Sequence, residues 1–244
     1  MAGKLKKKHF KSLAVIASVT ALVVISSTMA FFSSNDNTTN KFIGTRFDIS
    51  LTETKWDAEQ AKEVIPGQEL DKNPQITNKE QTEGYVFLRV TVPCDTQMVD
   101  NDDGTPMDSA LTNVPMYKFM ISAGTNPETY LSDTEFSPKQ KVHSHWKLID
   151  DSGSNYTYFN SEEQQFVYVY AYAEGDTLTP LRKNEITEPL FDKLRLWNFN
   201  EQFDPLKSHN VRVEALGIQT DIPGISAGNI SSVWEIVSGE AGNA

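Results

Sequence analysis

The stretch VIPGQELDKNPQITNKEQTEGYVFLRVTVP, Val64 to Pro93, decides the fold. Its opening Ile65-Pro66-Gly67-Gln68 suits a tight turn, because proline fixes φ at the second position and glycine takes the positive φ that other residues resist at the third. From Gly84 the chain alternates. Val86, Leu88, Val90 and Val92 fall on one face, and Tyr85, Phe87, Arg89 and Thr91 on the other, which is the period-two signature of a strand. The turn and the NPQITN step read as a connecting strand that sets the register of YVFLRVTV. The stretch carries no catalytic signature and is architectural.

Outward from it the same period recurs. RFDISL places Phe47, Ile49 and Leu51 opposite Arg46, Asp48 and Ser50. QQFVYVYAYAE places Phe166, Tyr168, Tyr170 and Tyr172 opposite Val167, Val169, Ala171 and Ala173, and FDKLRLWNF and NVRVEALGIQ complete the set. Turn signals separate these runs: IPGQ, DNDDGTP, SAGTNPE, DDSGSN and AEGDT. Many short strands so punctuated predict an all-β chain folded as a β-sandwich. One segment departs from the pattern. SAGNISSVWEIVSG spaces Ile230, Val233, Trp234 and Val237 by three and four residues behind Asn and Ser caps, which predicts a short C-terminal helix.

The N-terminus is of another kind. MAGKLKKKHFK holds five lysines and no acid, and SLAVIASVTALVVISSTMAFF follows without a charge. A basic region, an apolar region and a small-residue exit are the parts of a secretory signal peptide. Cleavage after Ala30 leaves Phe31 as the new N-terminus. Ser12 to Phe32 also spans about twenty residues, enough for an uncleaved membrane anchor, while the dense core from Leu13 to Ile25 suits a signal sequence better. The expected organisation is a signal-peptide helix over 1–30, an N-terminal segment over 31–43, and a sandwich over 44–244. Removing residues 1–30 takes five of the 22 Lys and Arg and none of the 33 Asp and Glu, leaving −16 over 214 residues. Such a polyanion repels nucleic acid and anionic lipid, so contact with the membrane is expected only before cleavage. Cys94 is the single cysteine, so the fold does without disulfides, an economy common among exported proteins of Gram-positive bacteria. It reads as a small buried hydrophobe.

Candidate chemistry is sparse. His143 and His145 in KVHSHWKLI are two apart, so on a strand they face one side and form a candidate weak metal pair in need of a third ligand. The helix-borne His-Glu-x-x-His of zinc proteases is missing, as are a Gly-x-Ser-x-Gly elbow and a Gly-rich phosphate loop. In VDNDDGTPMDSA, residues Asn101, Asp102, Asp103 and Asp108 form a candidate weak calcium loop. Aligning Gly104 with the sixth EF-hand position puts Val99 and Ala110 at the first and twelfth, where neither can ligate. The tyrosines 168, 170 and 172 have a spacing that suits carbohydrate stacking, but beside Val167, Val169 and Ala171 they read more simply as a packed sheet face. No catalytic constellation results; the reading is of a non-enzyme that needs no cofactor.

Taken in order, STMAFFSSNDNTTNKF, GTRFDISLTETKW, the Val64–Pro93 stretch, LTPLRKNEITEPLFDKLRL and VRVEALGIQTD resemble the TasA and camelysin family of secreted proteins, which are processed by a SipW-type signal peptidase. The likeness runs from the signal peptide to the C-terminal region, with Val99 to Glu163 as a variable stretch. The resemblance implies a jelly-roll-like antiparallel sandwich, exported as a monomer and assembled into extracellular fibres of the biofilm matrix. It implies that the N-terminal segment of one subunit adds a strand to the next, here with Phe31, Phe32, Phe42 and Ile43 as its apolar anchors. The partners implied are further copies of the chain, the signal peptidase and other matrix proteins. Two alternatives stay open: a monomeric surface adhesin or carbohydrate-binding sandwich, and the metallopeptidase that the name camelysin denotes.

Overall fold

The computed structural model describes residues 47–56, 65–97, 111–121, 140–149, 157–197 and 210–242. All of them belong to one compact unit, 38–244. Its described residues form an all-β antiparallel sandwich with one C-terminal helix, as the alternation predicts.

Its wall is a seven-stranded sheet centred on β4 (Gly84–Gln97), with β9 (Gln165–Glu174) on one side and β12 (Arg212–Gln219) on the other. Strand β5 (Leu111–Pro115) pairs with the far end of β4, and β7 (Trp146–Leu148), β8 (Tyr158–Asn160) and β10 (Thr177–Leu178) pair with β9. The second layer is made of two small sheets. One joins β1 (Ile49–Glu53) to β3 (Pro74–Asn78); the other has the order β2 (Glu69–Asp71), β11 (Lys193–Leu196), β6 (Tyr117–Met120). Among the described residues every strand ladder is antiparallel.

Alternation on β4 and β9 now has a cause on both faces. Val86, Leu88, Val90 and Val92, with Tyr168 and Tyr170, fill the core between the layers, where they meet Ile76, Phe119, Phe191 and Leu194. The other faces, Tyr85 and Phe87 of β4 with Val169, Ala171 and Ala173 of β9, meet helix α1 (Ile230–Gly242). Ile230, Val233, Trp234 and Val237 are the helix residues buried there, at the predicted spacing. Asn229 caps the helix: its Oδ1 accepts from the Ser232 amide at 3.1 Å. Trp234 lies 5.5 Å from Phe87, centroid to centroid. The tyrosine stripe is therefore interior, with Tyr168 and Tyr170 closed to any sugar, and Cys94 is buried as expected.

The opening stretch differs from its sequence reading in one respect. Gln68 N–H donates to the Ile65 carbonyl at 3.0 Å and Gly67 has φ 77°, so the Pro-Gly turn forms as expected. The chain after it is two strands, not one, and neither pairs with β4. Strand β2 joins β11 and strand β3 joins β1, in the layer opposite β4. The register of β4 is set instead by β9 and β12. Lys72 and Asn73 make the step between sheets. Lys72 Nζ bonds Glu53 at 2.7 Å and lies 4.3 Å from the Trp56 ring centroid, while the Asn73 side chain accepts from the Lys55 amide and donates to Thr54 Oγ1. Burial holds the Lys72 ammonium below its ordinary pKa, against the opposing pull of Glu53. Period two was visible in each piece, but a change of sheet between two strands leaves no periodic trace.

Candidate functional site: the two seams of the sandwich

A sandwich has two sides where its layers meet, and here they differ. On the first, a strap over residues 181–192 fills the gap. It leaves β10, turns at Arg182–Glu185 with Asn184 at φ 63°, and runs along β3. The Asn78 amide donates to the Glu185 carbonyl, the Thr187 amide to that of Ile76, and the Leu190 amide to that of Pro74. Thr187 Oγ1 accepts from the Ile76 amide, and the Gln75 side chain donates to the Thr187 carbonyl. On its far side the strap holds the turn before β7. The His143 amide donates to the Leu190 carbonyl, Trp146 Nε1 to that of Glu188 at 3.0 Å, and the Ala173 amide of β9 to that of His145. A nearly continuous backbone path therefore joins β1, β3, the strap, β7 and β9.

This strap also settles where the two histidines stand. They are not on a strand. The Trp146 amide donates to the His143 carbonyl, so His143–Trp146 is a turn, and β7 begins only at Trp146. His143 Nε2 lies 3.0 Å from Asp192 Oδ2, and His145 Nδ1 lies 2.9 Å from Glu188 Oε1. Each imidazole is thus tied to a different strap carboxylate, and among the described residues no group of three or more His, Cys, Asp or Glu is arranged to hold a metal. The calcium-loop residues Asn101, Asp102, Asp103 and Asp108, the cleavage pair Ala30 and Phe31, and the anchors Phe32, Phe42 and Ile43 lie outside the described residues.

On the second side, β1 and β12 are the outermost strands of their sheets. They come within 8 Å of each other, Cα to Cα. Among the described residues no ladder joins them. Ladder phase tells which groups are left over. The Thr220 amide donates to the Glu83 carbonyl, so in β12 the even residues from Arg212 to Ile218 exchange bonds with β4. The amides and carbonyls of Val213, Ala215 and Gly217 therefore point away from the sheet. The same argument, from the Lys79 amide donating to the Asp48 carbonyl, turns Ile49 and Leu51 of β1 outward. Among the described residues the seam thus holds two rows of backbone donors and acceptors outside any ladder, with Ile49, Ala215 and Gly217 buried along it.

One side chain spans this seam. Phe47, 5 % exposed, rests its ring against Gly84 of β4 and Gly217 of β12. A Cβ on Gly217 would come within 2.9 Å of that ring, and one on Gly84 would overlap it. Sequence reading placed Phe47 on an inward face but missed what it covers. The signal available was a lone glycine inside each of the alternating runs EGYVFL and EALGIQ, which marks close approach by another group. No family model, curated protein or solved structure is significantly similar to this chain.

Proposed function

We propose that this chain is a secreted structural subunit of extracellular biofilm-matrix fibres, assembling head to tail by β-strand addition. The segment 31–43 of one copy supplies the strand, and the outward row of β12 in the next copy receives it. The observation that carries this reading is the pair of edges on β1 and β12 that no ladder joins among the described residues, in contrast to the side closed by the strap. The likeness of the signal peptide and of the Val64–Pro93 stretch to the TasA and camelysin family supports it. Backbone pairing also accounts for a donor that is almost wholly polar from Ser33 to Asn40, since main-chain bonds supply the affinity and only Phe31, Phe32, Phe42 and Ile43 need pockets. A head-to-tail contact that does not close on itself yields an open filament.

The test compares the chain from Phe31 to Ala244 with one starting at Gly44, by electron microscopy and sedimentation. Filaments from the longer form alone are the expected result. Monomers from both across salt and pH would overturn the reading, and filaments from both would move the polymerising contact out of the N-terminal segment.

A further inference from the structure

On the laced side, a side chain does the work of a strand. Strand β6 is outermost in its sheet. The Trp197 amide donates to the Met116 carbonyl, so by ladder phase Lys118 and Met120 exchange bonds with β11. The backbone groups of Tyr117 and Phe119 therefore point away from β11. Buried Gln140 meets them there: its Oε1 accepts from the Phe119 amide at 3.1 Å, and its Nε2 donates to the Tyr117 carbonyl at 3.1 Å. One side-chain amide thus stands where a peptide group of a neighbouring strand would stand. The same Nε2 donates across the core to the Tyr168 hydroxyl of β9 at 3.4 Å. Gln140 also begins a short cross-piece, residues 140–146. Three residues on, the His143 amide donates to the Leu190 carbonyl of the strap, and Trp146 Nε1 donates to that of Glu188. The strap in turn comes back to β6, where Phe191 stacks on Phe119 and the Asp192 amide donates to the Met120 carbonyl. Strand β6, the cross-piece and the strap form a closed circuit of contacts, held by side chains and single bonds more than by ladders.

We propose that Gln140 is the latch of this circuit, so that cross-piece and strap open and close as one unit when its amide leaves or regains the edge of β6. Opening strips the Phe119 amide and the Tyr117 carbonyl of their partner in a buried place, and that cost holds the latch shut. Opening also bares the backbone groups of Pro74, Ile76 and Asn78 in β3, which the strap now pairs. A unit held by few ladder bonds opens at lower free energy than the central strands, without global unfolding. The laced side is thus closed by a part that moves and not by a fixed wall. This inference goes beyond strand addition and does not depend on it.

The experiment measures amide protection factors by hydrogen exchange on the dilute chain Phe31–Ala244, at about pH 7 and about pH 4. Wild type, Gln140→Leu and Gln140→Glu are compared at each pH. Gln140→Glu keeps the shape, and its carboxylate accepts from Phe119 but cannot donate to Tyr117 until it takes a proton. The probes are the amides of Phe119, His143, Thr187 and Leu190, with Leu216 and Ile218, bonded to β4, as reference. At neutral pH both variants should lose about tenfold in protection at all four probes, with the reference unchanged. Acid should restore Gln140→Glu and leave Gln140→Leu as it was. Equal loss at Leu216 and Ile218 would make Gln140 an ordinary core residue. Loss at Phe119 alone would confine Gln140 to its own edge and remove the latch. Unchanged protection in both variants would overturn the proposal, as would a Gln140→Glu that acid does not restore. If Gln140→Leu does not fold, the two pH values of Gln140→Glu decide the matter.

Discussion

One side of this sandwich is laced and the other is left open, though both are built from the same kind of strand. Along the strap, backbone groups of β3 and of the β7 turn find partners on residues 185–190, with Thr187, Gln75 and Glu188 filling the irregular places. Along the β1 and β12 seam no ladder joins the outward groups of Ile49, Leu51, Val213, Ala215 and Gly217 among the described residues, and the contact is made by side chains, the Phe47 ring among them. A buried backbone group without a partner costs more than a hydrogen bond returns, which is why the laced side recruits side chains wherever its backbone pairing breaks. The difference teaches that closure is not a general property of the fold. It is supplied by one long irregular segment, and among the described residues no such segment runs along β1 and β12.

The largest effect should come from the laced side. Phe191 on the strap is fully buried and stacks on Phe119 at 4.3 Å between centroids. Phe191→Ala should cost about 3–5 kcal/mol, read from denaturant midpoints; a loss under about 1 kcal/mol would mean that the strap is an ornament and not a closure. The next pair separates the two edges of one strand. The Leu216 amide lies on the β4 side of β12 and that of Val213 on the open side. Leu216→Pro should therefore cost about 3 kcal/mol or more, whereas Val213→Pro should cost about 1 kcal/mol and, on the proposed strand-addition reading, abolish assembly. If the two prolines destabilise equally, the assignment of an open edge is wrong.

Both seams enclose one core, and alkali should find it. Burial pushes Tyr117 up to about 12 and raises Tyr168 and Tyr170 as well. A folded pKa above the unfolded one gives stability that is complete below pH 10 and is lost as pH rises through the folded value. Stability should thus fall from about pH 10 upward by about 1.4 kcal/mol per pH unit for each tyrosine still protonated. Tyrosinate absorbance and circular dichroism should change together; early ionisation in an intact fold would place these rings near solvent. The smallest effect has the opposite sign. The Tyr170 hydroxyl is buried without a hydrogen-bond partner, so Tyr170→Phe should be neutral or stabilise by up to about 1 kcal/mol.

Much of this was legible beforehand, and the reason is local. Alternation in YVFLRVTV and QFVYVYAYA, the Pro66-Gly67 turn and the spacing of Ile230, Val233, Trp234 and Val237 all follow from how a short segment meets one surface. What failed was pairing. Pro74–Asn78 looks like any strand, and its partner β1 lies more than twenty residues earlier in the chain. At Met116 the chain leaves β5 in one layer for β6 in the other within a single residue, again with no change of period. The histidines misled because three alternating residues cannot tell a strand from a turn. The open seam was invisible for the same reason, since an edge is defined by the partner a strand lacks. Only Gly84 and Gly217 betrayed that something lay close.

Strand β4 carries a last consequence, for the chain before it folds. With Tyr85, Phe87, Val90 and Val92 all buried, it has no polar side to show while the protein is extended. Segments of that kind are where unfolded chains associate, and a charge within them is the usual brake. Between Gly84 and Cys94 the only charge is Arg89. In the folded protein the same guanidinium pairs with Glu214 at 3.4 Å and lies 5.3 Å from the Trp234 ring centroid, beneath α1. One residue thus interrupts the apolar run of the unfolded chain and clamps the helix to the sheet in the folded one. Solubility of the unfolded chain and docking of the helix therefore rest on the same side chain.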